Sequence, residues 1–141
     1  MQAEEIRIPR KIINQLLHHA QQFPDSEVCG LIGARQGVPV SCYPVKNAAE
    51  RPARRFLLDG RQQIDAMKKM RDRGEQLYAI YHSHPTTAAM PSRTDLEMAA
   101  YPEVLYLIIS LNTKGVLEMR GFSLSDNTAR EIPLCLAEED H

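Results

Sequence analysis

A chain of 141 residues fits one domain, 1–141, and is long enough to bury about two thirds of its unfolded surface without staples. A net charge of −1 leaves no basic footprint for nucleic acid, and the longest apolar run, at 104–109, falls far short of the roughly 18 residues that suggest a membrane span. The start, MQAEEIRIPRK, lacks the basic, apolar and small-residue regions of a secretory signal, and three cysteines without C-x-x-C spacing describe no disulfide framework, so a reducing cytoplasm is the expected setting.

In chain order, residues 9–23 repeat Ile12, Ile13, Leu16, Leu17, Ala20 and Phe23 at helical spacing, with Pro9 near the first turn, where its missing N–H costs nothing. His18 and His19 on this helix read as solvated or cap-proximal residues rather than ligands. A short apolar strand is expected at 28–34, a turn at Arg35-Gln36-Gly37, and a returning strand at 38–45 whose Pro39 and Pro44 argue for an edge or a bulge. On this register Cys29 and Cys42 come near each other and read as packed thiols. The segment 46–55, KNAAERPARR, is the most loop-like of the chain. Its Arg51, Arg54 and Arg55 make it either a solvated loop or a contact for an acidic substrate segment.

A short strand is expected at 56–58, then a helix from Asp59 to near Gly74 with Ile64, Met67 and Met70 on one core-facing side. There follow a buried strand, LYAIYHSH (77–84), a proline-bounded loop (85–91), a short helix (93–100), and strands at 104–111 and 116–124 joined by a turn, Asn112-Thr113-Lys114-Gly115. A last short strand or extended tail, 129–136, carries Cys135 as a packing residue. Strands alternating with helices, then a late hairpin, indicate an α/β or α+β sheet of mixed direction.

Side chains alternate across a strand, so His82 and His84 project from the same face, and near a strand end both imidazoles can reach one ion. Ser83 points the other way. Ser92 and Asp95 share one face of a helix start, where Ser-x-x-Asp ahead of an apolar run is also a capping box. The two readings are only partly compatible, because an Asp95 oxygen on a metal is not free to satisfy the cap. Two imidazoles and a carboxylate make three protein ligands, the number that leaves a catalytic zinc one position for water. Hydrolysis then needs a base, and Glu27, Glu75, Glu97 and Glu103 are the candidates that spacing alone does not separate.

His82-Ser83-His84-Pro85, seven residues from His84 to Ser92, and Ser92-Arg93-Thr94-Asp95 match the H-x-H-x7-S-x2-D pattern, and the chain resembles the JAMM (MPN+, JAB-domain) zinc metalloproteases, in particular their small prokaryotic Mec-type members. The segments SEVCGLIG and NAAERPARRFLLD extend the likeness over nearly the whole chain. The resemblance implies a cytidine-deaminase-like (JAB1/MPN) α/β sandwich, a curved mixed β-sheet flanked by helices. It implies one Zn2+ per chain held by His82, His84 and Asp95, with water as the fourth ligand. Glu27 would act as the proton-transferring base, and Ser92 as hydrogen-bond donor to the oxyanion. The substrate it implies is a ubiquitin-like sulfur-carrier protein of the ThiS/MoaD type, cut at its Gly-Gly C-terminus in cysteine or related sulfur metabolism. The alternatives are a deubiquitinase-like or broad-specificity JAMM peptidase and a non-catalytic MPN scaffold. Family members often dimerise, so a homodimer is admitted. The P-C-x-x-C of zinc deaminases and the H-E-x-x-H of zincins are absent from the sequence.

Overall fold

The computed structural model describes residues 6–99, 101, 103–111 and 118–137. Strand β1 (Ile6–Pro9) runs directly into helix α1 (Arg10–Gln22), which buries the stripe Ile12, Leu16 and Ala20. Strands β2 (Cys29–Arg35) and β3 (Val38–Val45) form a hairpin. Its two turn residues, Gln36 and Gly37, have φ of 53° and 80°, the left-handed geometry that matches the twist of the flanking strands. Helix α2 (Gly60–Asp72) starts at Asp59, whose carboxylate accepts the Gln62 N–H at 3.0 Å. Strand β4 (Gln76–His84), helix α3 (Arg93–Met98) and strands β5 (Leu105–Ser110), β6 (Glu118–Ser125), β7 (Thr128–Ile132) and β8 (Leu134–Ala137) follow.

Six strands make one sheet in the order β3-β2-β4-β5-β6-β7, in which only β4 and β5 run parallel, and β1 pairs with β8 apart from it. The sheet is covered on both sides, which is why β2 and β5 are nearly continuous apolar runs rather than alternating ones. Against one face, Ile8, Ile12 and Leu16 pack on Ile32, Tyr81 and Leu107; against the other, Ala66 and Met70 of α2 pack with Leu31, Ile80 and Ile108. This is the mixed sheet flanked by helices that the sequence leads one to expect. No helix among the described residues is long and apolar enough to cross a membrane.

Several expectations change in detail. Strand β3 is both an edge strand and bulged: Gly33 faces Ser41 and Ala34 faces Pro39, leaving Val40 as the extra residue. Residues 56–58 form no strand but a single bridge, Asn47 to Leu58. Ile64 is 62% exposed although Met70 is buried, because each three-residue step along a helix falls about 60° short of a full turn. The stretch 129–136 splits into β7 and β8 at Pro133, which cannot donate to a ladder. Cys29 faces Val45 and Cys42 faces Ile32, three pairs apart, and both thiols are free. His19 is half-buried and hydrogen-bonded through Nδ1 to the Tyr81 hydroxyl at 2.7 Å, whereas His18 is exposed. The turn expected at 112–115 lies outside the described residues.

Candidate metal centre

The site forms where β4 ends between an antiparallel neighbour and a parallel one. His82 and His84 project from one face of β4, as strand alternation requires, and both are buried. Cys29 pairs with His82, and the Ser83 N–H donates to the Val28 carbonyl at 3.0 Å, so the register carries on past the strand and sets Glu27 opposite His84. Ser83, pointing away, uses its hydroxyl to lock this approach: it accepts the Val28 N–H at 2.9 Å. Helix α3 then brings Asp95 in from the crossover to β5. Glu27, His82, His84 and Asp95 are all buried and offer ligand atoms within 4.8 Å of one another.

His82 Nε2, His84 Nε2 and Asp95 Oδ2 are pairwise 3.1 Å apart. That is close to the edge, about 3.3 Å, of a tetrahedron of ligands at roughly 2.0 Å from a zinc ion. The Ala88 carbonyl accepts the His84 Nδ1–H at 2.9 Å, which leaves Nε2 as a lone pair. Asp95 Oδ2 already accepts the Ser92 N–H at 2.8 Å. The three atoms therefore face one point, where a cation can bind by replacing the protons they share. Glu27 Oε1 and His82 Nδ1 are buried without a hydrogen-bond partner among the described residues. The donor set fits a zinc ion.

Burial disfavours charge at each of these groups, and neighbours decide the outcome. Burial lifts the Glu27 pKa to about 7, with His84 pulling it down and the Asp95 charge pushing it up. For His82, stacked on the Phe56 ring at 4.3 Å, burial lowers the pKa despite Asp95 and favours the neutral imidazole that binds metals. At His84 burial also opposes charge, but hydrogen bonds to Asp95 and Ala88 outweigh it and raise the pKa. Asp95 would be raised by burial, yet its hydrogen bonds with His82 and His84 hold it well below the usual carboxylate range.

The cap and the ligand readings of Asp95 coexist. Ser92 Oγ accepts the Asp95 N–H at 3.0 Å while Asp95 Oδ2 accepts the Ser92 N–H, a complete capping box, and the same Oδ2 faces both imidazoles. One oxygen has two lone pairs, so the expected conflict does not arise. Of the four candidate carboxylates only Glu27 reaches the cluster. Glu75 is buried elsewhere, accepting from the Ser41 and Tyr43 hydroxyls at 2.9 and 2.8 Å. Glu97 pairs with Arg93 at 3.3 Å on the outside of α3, and Glu103 is exposed.

Two residues were not visible from spacing. Phe56 supplies the ring on His82, and Asn47 clamps the loop that carries it. The Asn47 amide donates to the carbonyls of Glu27 and Arg55 at 2.8 and 3.0 Å and accepts the N–H groups of Ala49 and Leu57 at 2.9 and 3.0 Å. The Glu27 N–H in turn donates to the Pro52 carbonyl at 2.6 Å. With every hydrogen-bonding position used, Asn47→Ala should cost about 1–3 kcal/mol of stability. It should also lower turnover more than metal content. Urea unfolding alongside zinc analysis and peptidase assay checks both, and full activity at unchanged stability would refute the clamp.

The chain is similar to known proteins over most of its length. The family described as prokaryotic homologs of the JAB domain matches residues 9–123. A CysO-cysteine peptidase of Mycobacterium tuberculosis is 32% identical over 130 residues, covering 91% of this chain and 88% of the relative. A probable TtuB-protein conjugate cleaving protease of Thermus thermophilus is 32% identical over 119 residues, covering 84% and 76%. Among solved structures, a protein from Desulfitobacterium hafniense superposes with a TM-score of 0.86 at 34% identity, over 95% of this chain and 94% of the other. A JAB1/MPN domain protein from Archaeoglobus fulgidus gives a TM-score of 0.60 at 15% identity, over 94% and 98%, a likeness of fold.

Proposed function

Because this chain belongs to the prokaryotic JAB-domain family and is a JAMM-type metallopeptidase, we propose that it hydrolyses the amide bond after the Gly-Gly terminus of a ubiquitin-like sulfur-carrier protein. The observation that carries the reading is the buried triangle His82, His84 and Asp95 with Glu27 beside it, whose buried Oε1 has no hydrogen-bond partner among the described residues. The relatives named for a CysO-cysteine substrate and for TtuB conjugates support a carrier tail as the substrate class.

In this reading His82 Nε2, His84 Nε2 and Asp95 Oδ2 hold the zinc, which when bound supplies a Lewis acid and makes water a nucleophile near neutral pH. Glu27 takes a proton from the attacking water and passes it to the departing nitrogen, leaving a Gly-Gly carboxylate and a free amine. Burial, which raises the Glu27 pKa in the metal-free protein, suits a carboxyl that must hold the proton before handing it on. Ser92 Oγ accepts the Asp95 N–H through a lone pair and keeps its own proton to donate to the carbonyl oxygen of the scissile bond. Phe56 covers the His82 face and excludes water from it.

The test is incubation of the zinc-loaded protein with carriers ending in Gly-Gly-Cys, followed by mass spectrometry. Loss of the terminal residue is expected. Intact carriers across a panel, with zinc confirmed bound, would overturn the substrate assignment.

A further inference from the structure

A groove of about 580 Å³ opens beside the metal site, between the Asn47-clamped loop and helix α3. Phe56, which lies on His82, forms part of its wall, and Thr94, which precedes Asp95, and Met98 form another. Arg51 and Arg55 line it, both exposed, and neither guanidinium has an ion-pair partner among the described residues. Glu50 is the acidic residue of the lining, so the groove is positive on balance.

Resting on the peptidase reading above, we propose that Arg51 and Arg55 bind the free α-carboxylate of a single C-terminal residue, making the protein a carboxypeptidase for Gly-Gly-X tails rather than a cutter of side-chain conjugates. The loop is built for positioning, since the Asn47 amide ties Arg55 to Glu27 through their carbonyls. Arg51 immediately precedes Pro52, whose carbonyl holds the Glu27 N–H. Glu27 is the group that protonates the leaving amine, and the carboxylate of a one-residue leaving group lies within about 4 Å of that amine. A guanidinium fork suits such a carboxylate and gives charge-assisted hydrogen bonds. An amine released from a lysine side chain has no free carboxylate at that distance, so a conjugate forgoes the interaction.

The experiment compares a peptide ending Gly-Gly-Cys as free acid, the same peptide as C-terminal amide, and the Gly-Gly tail linked to a lysine side chain. The parent should cleave the free acid on the order of 10- to 100-fold faster than either of the others. Arg51→Ala combined with Arg55→Ala should bring acid and amide to equal rates by slowing the acid alone, and the double Lys variant should restore part of the preference. Arg54→Ala, on the same loop but away from the groove lining, should keep it. Calorimetric binding of acid and amide peptides to zinc-loaded Glu27→Gln reads the same preference without turnover. If no tail is cut yet the acid binds more tightly in an Arg51- and Arg55-dependent way, the peptidase reading fails and the carboxylate site stands. Equal handling of acid and amide by the parent, or equal losses on both in the Arg variants, overturns it.

Discussion

Glu27→Gln is expected to keep its zinc and lose about 10²–10⁴-fold in turnover, because Gln preserves shape but cannot carry the proton. The same change should stabilise the metal-free protein at alkaline pH. The folded-state pKa of Glu27, about 7, lies above the unfolded value of 4.5, so the buried carboxyl gives up its proton only reluctantly. Below about pH 4.5 this costs nothing, between 4.5 and 7 the cost grows, and above 7 it levels off at no more than about 3 kcal/mol. Urea unfolding of metal-free parent and variant should therefore show no difference near pH 4.5 and a more stable variant at pH 8. A variant that cuts as well as the parent would refute the proton-carrier role. A pH-independent difference would refute the burial penalty. The charge the site places beside the reacting bond is thus a cost in stability retained for chemistry.

Asp95→Asn carries the second large effect. Loss of the anionic ligand should weaken zinc binding by about 100-fold or more, while the Asn oxygen can still accept the Ser92 N–H and hold the helix start. Ser92→Ala makes the opposite change. It removes the cap acceptor for the Asp95 N–H, costing about 1 kcal/mol, and removes the hydroxyl donor, lowering turnover by about 10²–10³-fold with zinc retained. Zinc titration and thermal unfolding of both variants separate the roles. If Asp95→Asn binds zinc like the parent and only melts earlier, the carboxylate is a cap and not a ligand.

Most of the candidate metal site was legible because its geometry is local. The i, i+2 histidines must share a strand face, and Ser-x-x-Asp must share a helix face, whatever surrounds them. Glu27 was not legible from spacing: four carboxylates sat at element boundaries, the family resemblance pointed to Glu27, and the β2–β4 register sets it opposite His84. Phe56 and Asn47 escaped for a related reason, since a ring on an imidazole and an amide bridging two loop ends are long-range contacts with no period. Ile64 misled because a three-residue spacing drifts around a helix, and residues 129–136 misled because a strand and a tail look alike until a partner strand is found.

By itself the sequence determined the three helices and the strands β2 to β6, the apolar central runs that demand a two-sided sheet, and three of the four groups of the candidate metal centre. The tertiary structure decided which of the four boundary carboxylates reaches the cluster, how far its pKa moves, and which arginines of the 46–55 loop line the groove beside α3. The division follows from range. Periodicity is written in neighbouring residues, whereas burial and register exist only once distant segments have packed, and it is burial that turns Glu27 from an ordinary carboxylate into a group poised near neutral pH.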